Sequence, residues 1–230
     1  MILYGYNISP YTAKVRAVLR HKRVPFHEEQ VHPLRRQILK RLSGQLQVPV
    51  LQDDGRVVAD STDIVRYLEE RFPERPVIPH DPVLRARALL LEEWSDEGLS
   101  RVVAPVRWLI PVNHERSMAT FRGAYPAGVA EDAAFAAVGR FMTVDMRRKY
   151  TRSLTRSPSP ERLRRRLAEV LTLLDDALAE TGWLVGTAPT VADVAAWGWL
   201  HLLEGMEGWE LVQARPRVVR MLRGVDEMQA

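Results

Sequence analysis

Three short motifs could bind or activate a ligand, and two of them place a hydroxyl or carboxylate group where a strand gives way to a helix. The first is Ser9-Pro10, which follows a run of β-branched and aromatic residues and opens a helical pattern. Proline suits the first helical position, so Ser9 is predicted to be the N-cap. A hydroxyl there can donate to an anionic ligand, or it can simply cap the helix, which contributes about 1 kcal/mol. Taken alone, this motif favours the simple cap.

The second motif is Gln47-Val48-Pro49. A proline at the start of a strand gives up a ladder hydrogen bond, so it requires an edge strand, a bulge or a cis peptide bond. If the Val48–Pro49 bond is cis, the backbone of Val48 turns outward and can pair with an extended peptide ligand. The alternative is an edge-strand proline with no ligand role.

The third motif, Asp60-Ser61, combines a carboxylate and a hydroxyl at a predicted strand-to-helix junction. Free N–H groups at the helix N-terminus would hold a ligand carboxylate, while Asp60 would hold an ammonium group. The alternative is that Ser61 is an ordinary N-cap followed by early acidic residues.

Composition excludes several kinds of chemistry. The 230 residues contain no cysteine, which excludes disulfides, thiolate metal sites and a cysteine nucleophile. Any thiol chemistry must therefore use a thiol that a ligand supplies. The six histidines lack metal-ligand spacing, so we predict no metal. Without a long apolar run or a secretion signal, the chain is predicted to be cytoplasmic, with no membrane partner.

The elements around the motifs fall into two halves. Residues 1–75 predict the order β-α-β-α-β-β-α, in which a parallel βαβ unit precedes an antiparallel hairpin at Asp53-Asp54-Gly55. This order gives an α/β domain with a mixed four-stranded sheet. Closely spaced prolines predict a linker at 76–82, and residues 83–230 predict an all-helical domain. The helices predicted in it are Val83 to about Trp108, Val129 to Tyr150, Pro160 to Ala179, Thr190 to Leu203 and Pro216 to Glu227.

One segment, residues 140–166, is strongly basic. It holds ten Arg and Lys residues against Asp145 and Glu161, a net charge of +8. It could be an anion or nucleic-acid patch, or two solvated helix ends around an exposed loop at 153–160. Only two aromatic residues, Phe141 and Tyr150, lie among these charges, which is sparse for base stacking, so we favour the second interpretation and predict no nucleic-acid partner.

Together the three motifs resemble the glutathione transferase family. The thioredoxin-like N-terminal domain of that family has the same element order, a Ser-Pro-aromatic turn, a Val-Pro at the start of strand three and an acid-Ser pair opening helix three. Its helical domain has a landmark similar to residues 182–193, where Thr190 and Asp193 have capping-box spacing. The resemblance covers nearly the whole chain except about 110–160.

The resemblance implies a site for glutathione as co-substrate. Ser9 would activate the thiol, with Tyr6 as a reserve activator. Tyr11 and Trp108 would line a pocket for a small hydrophobic electrophile. The glutathione-binding residues would be Gln47, Val48, Pro49, Asp60 and Ser61.

The resemblance also implies a homodimer and a detoxifying transferase activity. Serine at the activating position favours conjugation over the thiol exchange typical of family members with cysteine there. Two alternatives remain open. One is a non-catalytic binding or regulatory module on the same fold, and the other is a glutathione-dependent isomerase, peroxidase or dehalogenase.

Overall fold

The computed structural model describes residues 1–126, 128–153 and 159–230. Most of the exposed loop predicted at 153–160 lies outside these ranges. The chain begins with a sheet-containing half and continues with a helical half. No helix within the described ranges has both the length and the apolarity to cross a membrane.

Four short strands form one mixed sheet in the order β2-β1-β3-β4. β1 pairs in parallel with β2 and antiparallel with β3, and β3 pairs antiparallel with β4, which confirms the predicted topology. Asp54 and Gly55 join β3 to β4 with φ of 43° and 86°, the positive values that a two-residue type I′ turn requires. The strands are β1 (Ile2–Gly5), β2 (His27–Gln30), β3 (Val50–Asp53) and β4 (Arg56–Ala59).

Helices cover both faces of the sheet. Because successive strand residues point to opposite faces, Leu3 and Leu51 join one buried cluster while Tyr4 and Val50 join another. The first cluster includes residues of α1 and α3, and the second includes Leu39 of α2. The helices are α1 (Pro10–His21), α2 (Gln37–Ser43) after a 3₁₀ turn at Pro33–Arg35, and α3 (Ser61–Arg71).

The described residues from 82 onward are helical apart from their connections. The long helix predicted from Val83 to about Trp108 is present, but a π turn at Ser95–Leu99 divides it into α4 and α5. Two helices, α6 and α10, were not predicted. The helices are α4 (Pro82–Trp94), α5 (Ser100–Leu109), α6 (Pro111–Gly123), α7 (Val129–Ser153), α8 (Pro160–Ala177), α9 (Val191–Leu200), α10 (Trp209–Gln213) and α11 (Pro216–Met228).

Helix α9 is the centre of the helical half, since all of its residues are buried. Its N-terminus carries the predicted capping box of Thr190 and Asp193. The Asp193 carboxylate also accepts a hydrogen bond from the Leu184 N–H at 2.8 Å. These bonds satisfy backbone donors at the end of α9 and in the preceding connection. This landmark therefore stabilises the fold that supports the site.

Candidate functional site

Close packing fixes the turn that carries Ser9. A Cβ atom at Gly5 would collide with the Thr12 side chain, so glycine at the end of β1 lets the first turn of α1 lie against the strand. A Cβ atom at Gly198 would lie 2.8 Å from the Pro10 carbonyl oxygen, so glycine also lets α9 approach this turn. Both halves of the molecule therefore hold the N-terminus of α1.

Ser9 caps α1, as predicted. Its Oγ accepts a hydrogen bond from the Thr12 N–H at 3.2 Å, and the residue is 9% exposed. Within the described residues nothing accepts the proton of the Ser9 hydroxyl. The cap bond thus uses a lone pair of Oγ and leaves its O–H able to donate to a ligand.

A cavity of about 540 Å³ lies between the Val48-Pro49 loop, the start of α3 and the end of α4. We call it the acidic cavity, because the described residues that line it include five carboxylates and one cation, Arg66. Those carboxylates belong to Asp60, Asp63, Glu93, Asp96 and Glu97. Of the predicted site residues, it brings together Tyr11, Gln47, Val48, Pro49, Asp60 and Ser61. Ser9 is not among its lining residues but is two positions from Tyr11.

The Val48–Pro49 peptide bond is cis, which confirms one of the predicted alternatives. The proline precedes β3, an interior strand of the sheet, so the edge-strand alternative is wrong. β3 starts only at Val50, which leaves the backbone groups of Val48 outside the sheet ladder and beside the acidic cavity. An extended peptide could pair with them.

Asp60, and not Ser61, is the N-cap of α3. Asp60 has φ 81° and ψ 133°, whereas Ser61 is already helical. The Asp60 carboxylate accepts hydrogen bonds from the N–H groups of Thr62 at 2.8 Å and Asp63 at 3.4 Å. Both bonds end on Oδ1, so Oδ2 can accept a bond from a ligand.

A buried ion network that the sequence did not predict lies under the acidic cavity. The Lys14 ammonium contacts Glu92 at 2.5 Å and Asp96 at 2.6 Å, and the Lys14 and Glu92 side chains are 1% and 2% exposed. The Thr62 hydroxyl donates to Glu92 at 2.6 Å. Two carboxylates on one ammonium leave a negative charge, which favours a ligand cation above it. Burial raises the pKa of Asp96 to about 6, against the opposing effect of Lys14.

A second cavity, of about 310 Å³, is lined by Tyr6 and Ile8 of the turn that precedes α1. We call it the apolar cavity, and it lies between the β1–α1 loop, α5, α6 and α7. It is lined by Tyr6, Ile8, Pro33, Arg36, Trp108, Phe121, Ala137, Val138, Phe141 and Met142. Tyr11 and Trp108, which were predicted to share one pocket, therefore line different cavities.

Tyr6, the reserve activator, lines the apolar cavity. Its ring packs edge-on against Phe121 with the ring centroids 5.2 Å apart. Burial raises the pKa of the Tyr6 hydroxyl above its ordinary value of 10.0, so this group stays protonated at neutral pH. It can donate a hydrogen bond from the cavity wall.

Arg107 is a buried cation beside the Ser9 turn. It is 1% exposed, and its Nη1 donates to the Ile8 carbonyl oxygen at 3.2 Å. Its Nε has no hydrogen-bond partner within the described part of the chain. Burial lowers the pKa of Arg107 to about 10, which still leaves it charged at neutral pH. Neither Lys14 nor Arg107 was predicted to be a buried charge near the site, although each interrupts an otherwise apolar helix face.

Two family models match this chain, and together they cover most of it. One, described as the N-terminal domain of glutathione S-transferase, matches residues 3–76, and the other, described as its C-terminal domain, matches residues 131–220. The chain belongs to the glutathione S-transferase family. The mixed sheet is the thioredoxin-like domain of this glutathione S-transferase family member, and its helices form the all-α domain.

Relatives resemble this family member over part of their sequences. The probable maleylacetoacetate isomerase of Caenorhabditis elegans is 36% identical over 90 residues, which cover 38% of this chain and 42% of the relative. Protein LigF of Sphingobium sp. is 33% identical over 112 residues, which cover 46% of this chain and 44% of the relative. The chain thus spans less than half the length of these curated relatives.

The likeness in fold extends over nearly the whole chain. The crystal structure of the β-etherase LigF from Sphingobium sp. strain SYK-6 matches with a TM-score of 0.69 and 22% identity, covering 99% of this chain and 97% of that one. The relatives include a protein described as an isomerase and one described as an etherase, so the family alone does not fix the reaction.

Proposed function

We propose that the protein is a glutathione transferase that activates the glutathione thiol for attack on a small electrophile. The observation that carries this proposal is the hydroxyl proton of Ser9, which has no acceptor within the described residues and is held at a helix N-terminus two positions before Tyr11, a residue that lines the peptide-sized acidic cavity. The γ-glutamyl ammonium would contact Asp60 above the negatively charged Lys14 network. Ser61 and the N-terminus of α3 would hold the adjoining carboxylate.

The rest of the glutathione tripeptide would lie along the backbone of Val48. The cysteinyl unit of glutathione would pair with Val48, the glycyl end would lie near Gln47, and the sulfur would point to Ser9. The thiolate would then attack an electrophilic carbon, forming a C–S bond while the leaving group departs with its electron pair. The thiol proton passes to solvent.

Serine at a helix N-terminus is sufficient to activate the thiol. Lowering a thiol pKa by about 2 units requires about 2.7 kcal/mol of preference for the thiolate. A hydroxyl hydrogen bond to a charged group contributes about 1.5–3 kcal/mol, and a helix N-terminus about 0.3–1 kcal/mol more.

Replacing Asp60 by asparagine tests the ammonium site. Asparagine caps helices as well as aspartate and tolerates positive φ, so α3 should persist while the negative charge is lost. We expect the affinity for glutathione, measured by calorimetry, to fall about tenfold. Asp63→Asn is the matched control, because Asp63 lines the same cavity but already lies 3.5 Å from Arg66. Equal losses in both variants would contradict the assignment.

The affinity should also depend on pH through Asp96. Above about pH 6 its carboxylate is ionised and attracts the ligand ammonium, whereas protonation at lower pH removes that attraction. Binding should therefore weaken as pH falls through 6, by up to about tenfold per unit. S-methylglutathione, which has no ionisable thiol, isolates this effect between pH 5 and 8. Asp96→Asn should flatten the profile, and an unchanged slope in that variant would exclude Asp96 as its source.

A glutathione-dependent isomerase is the second candidate, favoured by the relative that is described as a maleylacetoacetate isomerase. An isomerase would return glutathione unchanged, whereas a transferase consumes one glutathione per product. If glutathione does not bind at all, the non-catalytic module becomes the preferred hypothesis.

We also propose that the protein forms the homodimer usual in the family, through the exposed side chains of Val83, Leu90 and Trp94 along α4.

A further inference from the structure

The two cavities beside Ser9 have opposite electrostatic character. Carboxylates dominate the acidic cavity, whereas Arg36 is the one charged residue that lines the apolar cavity among those the structure describes. The other apolar-cavity walls are aliphatic or aromatic, including the rings of Tyr6, Trp108 and Phe121. An apolar site with a single fixed cation selects for a ligand with an apolar body and one anionic group.

Arg36 is held in place without a counter-ion. Its Nε and Nη2 donate to the Leu46 carbonyl oxygen at 3.1 and 2.6 Å. No carboxylate pairs with it in the described ranges of the chain. A guanidinium bound to a neutral carbonyl keeps its full positive charge, and its remaining N–H groups can donate to a carboxylate.

The positive charge of Arg36 influences a group on the wall of the apolar cavity. It lowers the pKa of the Tyr6 hydroxyl, in opposition to the larger effect of burial, so the guanidinium lies close enough to influence that group. The buried Arg107 adds a second positive charge behind Ile8, which is itself a wall residue. Both positive charges therefore favour an anion inside the apolar cavity.

The size and walls of the cavity favour a flat ring. About 310 Å³ is at the lower end of small-molecule sites, which are roughly 300–1,000 Å³. The Phe141 side chain is 64% exposed although it lines the cavity, so a bound ring would cover apolar surface that now faces solvent. Offset or edge-on contacts with the aromatic walls suit an aryl group.

We propose that the apolar cavity takes an aromatic electrophile bearing a carboxylate, and that Arg36 is the specificity-determining residue that pairs with this carboxylate. The inference rests on the proposed glutathione transferase function. It adds to that function a substrate class, an acidic aryl compound in preference to its neutral counterpart.

Two glutathione conjugates of nearly equal shape test the proposal by equilibrium binding. S-(4-carboxy-2-nitrophenyl)glutathione carries a carboxylate where S-(2,4-dinitrophenyl)glutathione carries a neutral nitro group. Calorimetry should show the carboxylate conjugate binding about tenfold more tightly to the wild-type protein. This ratio should fall to about one in Arg36→Met. It should persist in Arg36→Lys, which retains the charge, and in Arg35→Met, which removes a neighbouring exposed charge outside the cavity.

Arg36 also supports the Leu46 carbonyl near the glutathione-binding loop, so Arg36→Met could weaken binding of both conjugates. The ratio of the two affinities cancels such a loss, because both ligands share the glutathione moiety. Free glutathione is titrated in the same series. If it does not bind the wild-type protein, both the proposed function and this inference fail.

If free glutathione binds, three results would each overturn the inference alone. The first is equal or tighter binding of the neutral conjugate, and the second is a preference that survives in Arg36→Met. The third is failure of both conjugates to bind, which would mean that no aryl group is accommodated beside the thiol.

Discussion

Replacing Lys14 by methionine should lower the free energy of unfolding by about 3–5 kcal/mol, because the change leaves Glu92 charged and buried without its partner. The ammonium contacts Glu92 and Asp96 from α1, while those two carboxylates come from α4 and the π turn. The network thus links the sheet-containing half to the helical half. Methionine has a similar length and fits an apolar helix face, so lost packing contributes little.

Urea denaturation followed by circular dichroism measures this effect. Lys40→Met is the matched control, since Lys40 is exposed on α2, and should change stability by less than about 0.5 kcal/mol. Adding Glu92→Gln to Lys14→Met should recover part of the loss by removing a buried charge. A loss below about 1 kcal/mol in Lys14→Met would show that the network contributes little to stability.

Replacing Ser9 by alanine should lower kcat/KM for glutathione conjugation by about 100-fold. The reason is the lost hydrogen bond to the thiolate, which can account for about 2.7 kcal/mol, and each 1.36 kcal/mol is a factor of ten in rate. The substitution also removes the cap of α1, which should cost only about 1 kcal/mol of stability. The folded protein therefore persists while its activity falls.

Ser9→Thr is the matched control, because threonine keeps both the hydroxyl and the capping oxygen. It should retain most of the activity, with steady-state rates measured at saturating electrophile. If Ser9→Ala and Ser9→Thr lose activity equally, the side-chain hydroxyl is not the activating group. Retained activity in Ser9→Ala, with loss in Tyr6→Phe, would instead identify the reserve activator.

The features predictable from sequence are those that neighbouring residues determine. Ser9-Pro10 specifies a cap, Asp54-Gly55 specifies a tight turn, and Val48-Pro49 limits the backbone to a few conformations. Hydrophobic periodicity is also local, which is why the order of the strands and most helices followed from it. The prediction of Ser61 as N-cap was wrong by one residue, because either Asp60 or Ser61 can cap a helix.

The features that escaped prediction depend on distant residues. Lys14 meets Glu92 only after folding, and Arg107 reaches Ile8 across a separation of 99 positions. Tyr11 and Trp108 were grouped by family resemblance, but they line different cavities in the folded chain. Helix α6 lies in a region where no motif was recognised, so the position of the apolar cavity could not be predicted.

The pKa of the glutathione thiol in the complex tests the central claim most directly. Thiolate absorbance is followed against pH for glutathione bound to the wild-type protein and to Ser9→Ala. We expect the wild-type value to lie about 2 units below the ordinary thiol value of about 8.5, and the Ser9→Ala value to return most of the way towards it. Absence of binding at about 10 mM glutathione, or an equally low thiol pKa in both proteins, would contradict the assignment of Ser9.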